Sequence, residues 1–225
     1  MGHNKKKYIW QKSKWPNLTW DSEKLLQSLG EARRYQGTIL AKADEIGLEA
    51  FSDLVVEEVF STSAIEGETL DKPTIRSSVA RRLGLPTAGL PEETRPIDGL
   101  VEILMDATTN YSTSLTFKRL HGWHAALFPT GYSGIQKIVV ANWRKGKEAM
   151  QVVSGRLGEE KVHYEAPPSD QVSREMKSFL AWYNNPPLNL DGLIRAGIVH
   201  FLFDLFDMQF ICIAQQEKTI SFFFG

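Results

Sequence analysis

The chain has 225 residues, of which 42% are hydrophobic and 24% are charged, and its formal net charge is −1. This length fits one domain, or one domain with a helical extension, and can bury a substantial core. The near-zero charge gives no reason to expect a nucleic acid or an anionic membrane as a partner. Cys212 is the single cysteine, so no intrachain disulfide can form. With no signal-peptide pattern at the N-terminus, the sequence predicts a cytoplasmic protein.

The first part of the chain predicts an aromatic arm, residues 1–20, followed by three helices. Three tryptophans are expected to anchor the arm on the body: Trp10, Trp15 and Trp20. A first helix begins after Asp21, a residue type that caps helix N-termini, and ends at Gly47. A third helix begins after Asp71, with Pro73 in its first turn.

The second helix carries an apolar stripe and stops at Gly67, because glycine commonly ends helices. The stripe consists of Leu48, Phe51, Val55, Val59 and Thr62. After the third helix the chain has a dense group of helix breakers: Gly84, Pro86, Gly89 and Pro91. This breaker cluster predicts a boundary between an N-terminal helical module, residues 1–86, and a main body, residues 94–225.

The main body predicts helices over residues 97–110 and 115–128 and then a change of texture. Ile138–Val140 and two later runs favour β-structure. The later runs predict a β-hairpin with strands near 150–154 and 161–165. Two further helices follow, one over residues 172–183 and one after Asn189. The last helix contains His200, which we expect to be a core histidine. The charged residues of this helix favour a buried helix over a transmembrane span. The fold class is therefore mainly α with a β-hairpin.

Three parts of the sequence stand out: Thr62–Gly67, Leu120–Tyr132, and Met150–Gly155 with Val162–Pro168. Together they resemble the Fic family of adenylyltransferases, in particular its members with a DUF4172-like leading domain. The segment Thr62-x-x-x-Glu66-Gly67 matches that family's inhibitory motif, [ST]-x-x-x-E-[GN], and Ala32–Gly37 precedes it. The match is spread over nearly all of residues 9–203.

The resemblance implies a Fic-like helical fold that transfers AMP from ATP, with Mg²⁺, to a hydroxyl group of a target protein. It implies that Glu66 restrains the active site by pairing with an arginine of the catalytic loop. It also implies that the hairpin is the family's flap, which holds an extended target segment by main-chain pairing. The flap residues would be Val152, Val153, Ser154, Gly155, Val162, His163 and Tyr164. An ordinary surface hairpin is the alternative.

The family's catalytic loop, H-P-F-x-[DE]-G-N-G-R-x-x-R, is not found in this sequence. Val199–Phe203 matches the residues that lead into it, and the family's histidine, a general base, would fall at Asp207. No Gly-Asn-Gly-Arg follows, and no arginine occurs after Arg195. We therefore expect no catalytic residue, no replacement for the phosphate-binding turn and arginines that hold ATP and Mg²⁺ in the family, and a catalytically incompetent chain. A truncation, a frameshift or natural divergence would each produce this C-terminal sequence.

Other readings of the sequence are open. The chain could be a regulatory or binding module that acts on an intact Fic enzyme or on another protein. The apolar segment Phe222–Phe224 predicts a homo-oligomer. His121 and His124 have helical spacing for a metal, but no acidic or cysteine ligand is near them. Four helical arginines could contact phosphate, but arginines beside acids are expected to be solvated: Arg33, Arg34, Arg81 and Arg82. A DNA-associated regulator is disfavoured by the net charge.

Overall fold

A computed structural model describes residues 8–43, 46–65, 68–92, 94–133, 135–146, 150–156 and 159–206. These residues form seven α-helices and two small antiparallel sheets, so the prediction of a mainly α fold with a β-hairpin is confirmed. The helices are α1 (Ser22–Ala43), α2 (Leu48–Ile65), α3 (Lys72–Leu83), α4 (Arg95–Thr109), α5 (Phe117–Leu127), α6 (Ser169–Asn184) and α7 (Gly192–Phe206). The strands are β1 (Tyr132–Ser133), β2 (Gln136–Lys137), β3 (Gln151–Ser154) and β4 (Lys161–Glu165).

The chain forms two compact units. Among the described residues, the first, which we call the hairpin unit, comprises residues 8–37 and 143–206 with the gaps given above. The second, which we call the helical unit, comprises residues 38–142 with the gaps given above. The boundary predicted between residues 86 and 94 divides the chain by sequence position and differs from the division into these two compact units. It stays a prediction.

The helical unit has an apolar core built by helices α2, α3 and α4. Its buried members are Val55, Val56, Val59, Ile75, Val79, Ile97 and Val101. Along α2 the buried face runs from Ser52 through Val55, Val56 and Val59 to Ser63, at helical spacing. The predicted stripe was wrong at both ends: Leu48 is 50% exposed, and Thr62 is exposed while the next residue, Ser63, is buried.

The predicted starts of α1 and α3 are confirmed. The prediction that α1 ends at Gly47 was wrong, because Gly47 directly precedes α2 and its carbonyl accepts the N–H of Phe51 at 3.0 Å. At the start of α1 the Asp21 Oδ1 atom accepts the backbone N–H of Glu23 at 3.1 Å. At the start of α3 the Asp71 Oδ2 atom accepts the N–H of Thr74 at 3.0 Å, which satisfies a donor that has no partner within the helix. Helix α3 ends at Gly84, whose φ of 70° is a left-handed conformation that glycine adopts without strain.

The hairpin unit buries one face of α6 and the last turns of α7. The buried residues of α6 are Val172, Met176, Phe179 and Leu180. In α7 the buried side chains include Leu202 and Leu205. The prediction of a core position for His200 was wrong: it lies two residues before Leu202, on a different side of the helix, and is exposed. None of the described helices is both long enough and apolar enough to cross a membrane.

The β-favouring run Ile138–Val140 does not form a strand. Instead, Tyr132 pairs with Lys137 and Ser133 with Gln136, in a short antiparallel ladder just before it. The backbone N–H of Ile138 donates to the carbonyl of Gly131 at 3.0 Å and closes this ladder. The strands therefore lie earlier in the chain than the β-favouring run, whose residues follow the second strand of the ladder.

Candidate functional site

The hairpin of β3 and β4 lies where the sequence predicted it and has an irregular register. Gln151 pairs with Glu165, Val152 with Tyr164, Val153 with Val162 and Ser154 with Lys161. His163 therefore has no opposite residue on β3, so β4 carries a β-bulge there while β3 is regular. Because a bulge redirects side chains and bends its strand, the two edges of the hairpin are not equivalent.

The tip of the hairpin requires glycine at position 155. Gly155 has a φ of 117°, which side-chain-bearing residues rarely adopt. A Cβ atom at this position would also lie 2.7 Å from the backbone oxygen of Glu159. At the same end, the Ser154 Oγ and His163 Nε2 atoms are 2.5 Å apart, so the bulged residue hydrogen-bonds across to β3. Both side chains were predicted as flap residues, and the structure brings them together.

Strand β4 has its outer edge contacted by the N-terminal arm. The backbone N–H of Ala166 donates to the carbonyl of Met150 at 2.9 Å, so residue 166 turns its polar groups towards β3. Because backbone groups alternate along a strand, the carbonyl of Glu165 points to the opposite side. There it accepts the indole N–H of Trp10 at 2.7 Å. The arm therefore satisfies an edge carbonyl of β4.

No described strand pairs with the outer edge of β3. Within the described residues the sheet consists of β3 and β4 alone. The same alternation turns the N–H and C=O groups of Val153 away from β4. The side chain of Val153 is 45% exposed, and that of Gln151 is also exposed. An extended segment from another chain would find unpaired backbone groups and an apolar side chain along this edge.

Tyr164 connects the hairpin to the end of α7. Its hydroxyl donates to the backbone carbonyl of Leu205 at 3.3 Å, and its ring meets the ring of Tyr8 edge-on at 5.7 Å between centroids. Burial raises the pKa of Tyr164 well above its usual value, and the nearby Arg144 charge offsets only part of that increase. The phenol therefore stays protonated and able to donate. The hairpin thus contacts the last described turn of α7, the helix that carries Val199–Phe203.

Arg144 stabilises the chain on both sides of the hairpin. It belongs to a basic run but is half-buried, and its guanidinium donates to the carbonyl of Pro167. Ser169 at the start of α6 donates through Oγ to the carbonyl of Gly146 at 2.6 Å. These two contacts join the segment before β3 to the segment after β4, so the hairpin projects from a closed base.

The sequence predicted that the arm is anchored by tryptophans but not which residues they contact. The three tryptophans predicted anchors, and two of them make indole hydrogen bonds: Trp10 to Glu165, and Trp15 to the Glu175 Oε2 atom at 3.1 Å. Their acceptors lie more than 150 positions further along the chain. No local pattern marks such partners, and Tyr8 and Leu205 carried no signal of their own.

The inhibitory motif lies only partly within the described residues. Thr62 is in the last turn of α2, and its hydroxyl donates to the Glu58 Oε1 atom at 3.2 Å. The N–H of Glu68 donates to the carbonyl of Ser63 at 2.8 Å, which returns the chain to the end of α2. Glu66 and Gly67 lie outside the described residues, and so does Asp207, where the family's histidine would fall.

The weaker metal hypothesis gains no support in the described part of the chain. It contains no group of three or more histidine, cysteine or acidic residues that could hold a metal ion. The buried His124 accepts the backbone N–H of Ala141 through Nδ1 at 3.1 Å. Burial lowers the pKa of His124, and the neighbouring His121 lowers it further. The ring is therefore neutral, with one nitrogen already used by the backbone.

Acidic side chains pair with Arg33, Arg81 and Arg82, three of the helical arginines for which the sequence predicted solvated side chains. The Arg33 Nη2 atom lies 2.6 Å from Asp191 Oδ2. Arg81 and Arg82 lie 2.8 and 3.0 Å from the carboxylate oxygens of Asp98. The guanidinium of Arg34 lies over the ring of Tyr35, at 5.1 Å from its centroid. Among them the structure forms no phosphate-binding cluster within the described residues.

Comparison with known proteins finds a family match for the N-terminal part of the chain. Residues 8–85 match the family model described as "Domain of unknown function (DUF4172)". The matched segment begins at the arm and ends next to Gly84, where α3 stops. No curated protein matches the chain. The DUF4172 part of the resemblance is thus supported, whereas the hairpin and α7 lie beyond the matched residues.

Proposed function

We propose that this chain is a protein-binding member of the Fic family that holds an extended segment of a target along the outer edge of β3. In that family the hairpin orients a target for AMP transfer from ATP. The observation that carries the proposal is the difference between the two edges of the hairpin. The Trp10 indole occupies an edge carbonyl of β4, whereas Val153 on β3 is exposed and turns its backbone groups outwards.

Main-chain pairing would give this site affinity without strict sequence specificity. An added strand gains hydrogen bonds to the N–H and C=O groups of β3, and each net bond contributes about 0.5–1.5 kcal/mol. The exposed Val153 and Gln151 side chains would contact alternate residues of the incoming strand. The closed base at Arg144 and Ser169 would hold the hairpin in position before a target arrives, which lowers the entropy lost on binding.

We propose further that the chain does not transfer AMP. The residues from Asp207 onwards contain no Gly-Asn-Gly-Arg, and the sequence has no arginine after Arg195. In the family these groups hold the phosphates and the Mg²⁺ ion, and such positioning supplies most of the rate in phosphoryl-type transfer. Target binding would then be the retained function, with an intact enzyme or another protein as the partner.

The binding proposal is tested by removing one outward N–H from β3. Val153→Pro deletes that donor without touching a bond of the β3–β4 ladder. Short peptides selected on the chain from a random displayed library serve as the probe, measured by titration calorimetry. We expect Val153→Pro to weaken their binding about tenfold. Val153→Thr keeps the N–H and the branched shape and serves as the matched control. Peptides that bind Val153→Pro as tightly as the unmodified chain would contradict strand addition at β3.

The catalytic half is tested with ATP labelled on its α-phosphate, in the presence of Mg²⁺ and a cell extract as a source of targets. The unmodified chain and its Glu66→Gly variant are compared, because that substitution would relieve any inhibition by Glu66. We expect no label on protein from either. Transfer by either form would mean that residues after Phe206 replace the missing loop.

A further inference from the structure

The hairpin unit contains a pocket, apart from the hairpin itself, that the proposed function does not use. Its volume is about 240 Å³. It lies between the arm residues 16–20, helix α6, the loop before α7, and α7. Two tryptophans from different segments contribute to its wall, Trp20 from the arm and Trp182 from α6, and Pro16 and Pro187 add further apolar surface. This is the concave, mostly apolar shape of small-ligand sites.

One charge stands in this apolar wall. Among the described residues that line the pocket, Glu175 is the only one with an acidic or basic side chain. Its side chain is only 17% exposed. The Trp15 indole N–H donates to its Oε2 atom at 3.1 Å, which fixes the carboxylate without neutralising it. Arg174 lies 3.3 Å from Oε1, but its side chain is 70% exposed, and such exposed pairs contribute little.

We propose that this pocket binds an organic cation with an apolar body, of the alkylammonium, arylammonium or guanidinium class. A carboxylate supplies a charge-assisted acceptor for an N–H donor, and tryptophan faces attract cations through the ring quadrupole. Ser178 also lines the wall; its hydroxyl donates to the carbonyl of Arg174 at 3.3 Å, so its oxygen can only accept a hydrogen bond from a ligand. A neutral apolar ligand would remove water from Glu175 and offer it no N–H donor in return, and the exposed Arg174 offsets little of that cost.

Such a cation could be the side chain of a partner's lysine or arginine or a free small amine. The pocket volume accommodates either, because both present a cationic head on a short apolar stem. The chemistry of recognition is the same in the two cases, so the experiment is designed first to establish the cation preference and then to separate the two sources.

The preference is measured with phenethylammonium and its neutral analogue phenethyl alcohol, titrated into the full chain by calorimetry. We expect the ammonium to bind about tenfold more tightly than the alcohol. Glu175→Gln keeps an acceptor for the Trp15 indole but removes the charge, and should reduce that preference to about twofold or less. Glu159→Gln removes the same charge from an exposed residue near the hairpin tip and should leave the preference unchanged.

A second variant keeps the test valid if Glu175→Gln fails to fold, which far-UV circular dichroism would reveal. Trp20 is already 43% exposed, so Trp20→Leu should fold, and it should weaken ammonium binding about fivefold by removing an aromatic face. The proposal is overturned if neither probe binds, if the alcohol binds as tightly as the ammonium, or if the preference survives in Glu175→Gln or the affinity survives in Trp20→Leu.

The source of the cation is identified by competition. Blocked tripeptides with a central arginine or lysine between glycines are titrated against bound phenethylammonium, with a triglycine peptide as the control. Displacement by the arginine or lysine peptide supports a partner's side chain as the ligand. Binding of phenethylammonium without displacement by either peptide supports a free small amine. Both outcomes are independent of Val153→Pro, so failure here leaves the proposal for β3 standing.

Discussion

The contacts that stabilise the helical unit internally differ in kind from those that stabilise the hairpin unit internally. In the helical unit, Asp98 of α4 accepts hydrogen bonds from Ser78 and Arg81 of α3 at 2.8 Å each, above a core of valines and isoleucines. These partners are within 20 positions of one another. In the hairpin unit, the indoles of Trp10 and Trp15 reach acceptors more than 150 positions away.

This difference means that the two units respond to different perturbations. Contacts between sequence neighbours form at a low cost in loop entropy, whereas contacts across the whole chain must close a long loop first. The helical unit should therefore be sensitive to changes in packing between its helices. The hairpin unit should be sensitive to loss of the arm, a segment that is remote in sequence from everything it contacts.

The largest expected effect is on the packing of α4 against α5. A Cβ atom at Gly99 would collide with the backbone carbonyl of Ala126, whose carbon would lie only 2.7 Å away. Because backbone cannot move aside as a flexible side chain can, Gly99→Ala should destabilise the protein by about 3 kcal/mol. Urea unfolding followed by circular dichroism measures this loss.

Gly122 of α5 is the matched control for that substitution. A Cβ atom there would meet nothing within 4 Å, so Gly122→Ala should stabilise the protein by about 0.5–1 kcal/mol through helix propensity. If Gly99→Ala unfolds at the same urea concentration as the unmodified chain, the close approach of α4 and α5 is wrong.

An intermediate effect is expected at the arm. Trp10→Phe keeps an aromatic ring but leaves the Glu165 carbonyl without its indole donor, which should cost about 1–2 kcal/mol. The loss should appear as faster hydrogen exchange of the amides in β3 and β4. Exchange in α2 and α3 should stay unchanged, because the arm belongs to the hairpin unit. Trp20→Phe, at an exposed tryptophan, is the control; equal exchange in both variants would refute the special role of Trp10.

The smallest expected effect is a dependence of stability on pH in the helical unit. Burial, helped by His121, lowers the pKa of His124 below 6.5, so the folded state keeps the ring neutral. The unfolded state takes up a proton first as pH falls. The stability is therefore fully present above pH 6.5 and is lost progressively below it, down to the pKa of the folded state.

His124→Asn separates this contribution from other groups. The asparagine Oδ1 atom can accept the Ala141 N–H in place of Nδ1 but does not titrate. We expect chemical denaturation between pH 7 and pH 5 to show a smaller loss of stability in this variant than in the unmodified chain. An equal loss would assign the pH dependence to groups other than His124.

Local sequence signals predicted much of the fold but only part of the candidate site. Asp21, Asp71 and Pro73 marked helix starts because capping depends on residues within one turn. The hairpin strands followed from their β-favouring runs. Leu48, Thr62 and His200 were misplaced, because a helical period indicates an apolar face but does not fix where that face ends or which helical positions the tertiary packing buries. The bulge at His163 and the Trp10 contact could not be predicted, since both depend on tertiary pairing.

The unequal edges of the hairpin also limit how the protein can assemble. A sheet grows without end only when each added strand presents a fresh edge and both sides accept strands. Here one side is interrupted by the bulge at His163 and covered by the Trp10 indole. Under the proposed strand addition only a single side is available, so each hairpin would accept one partner. Two copies that paired through β3 would form a closed dimer instead of a fibre.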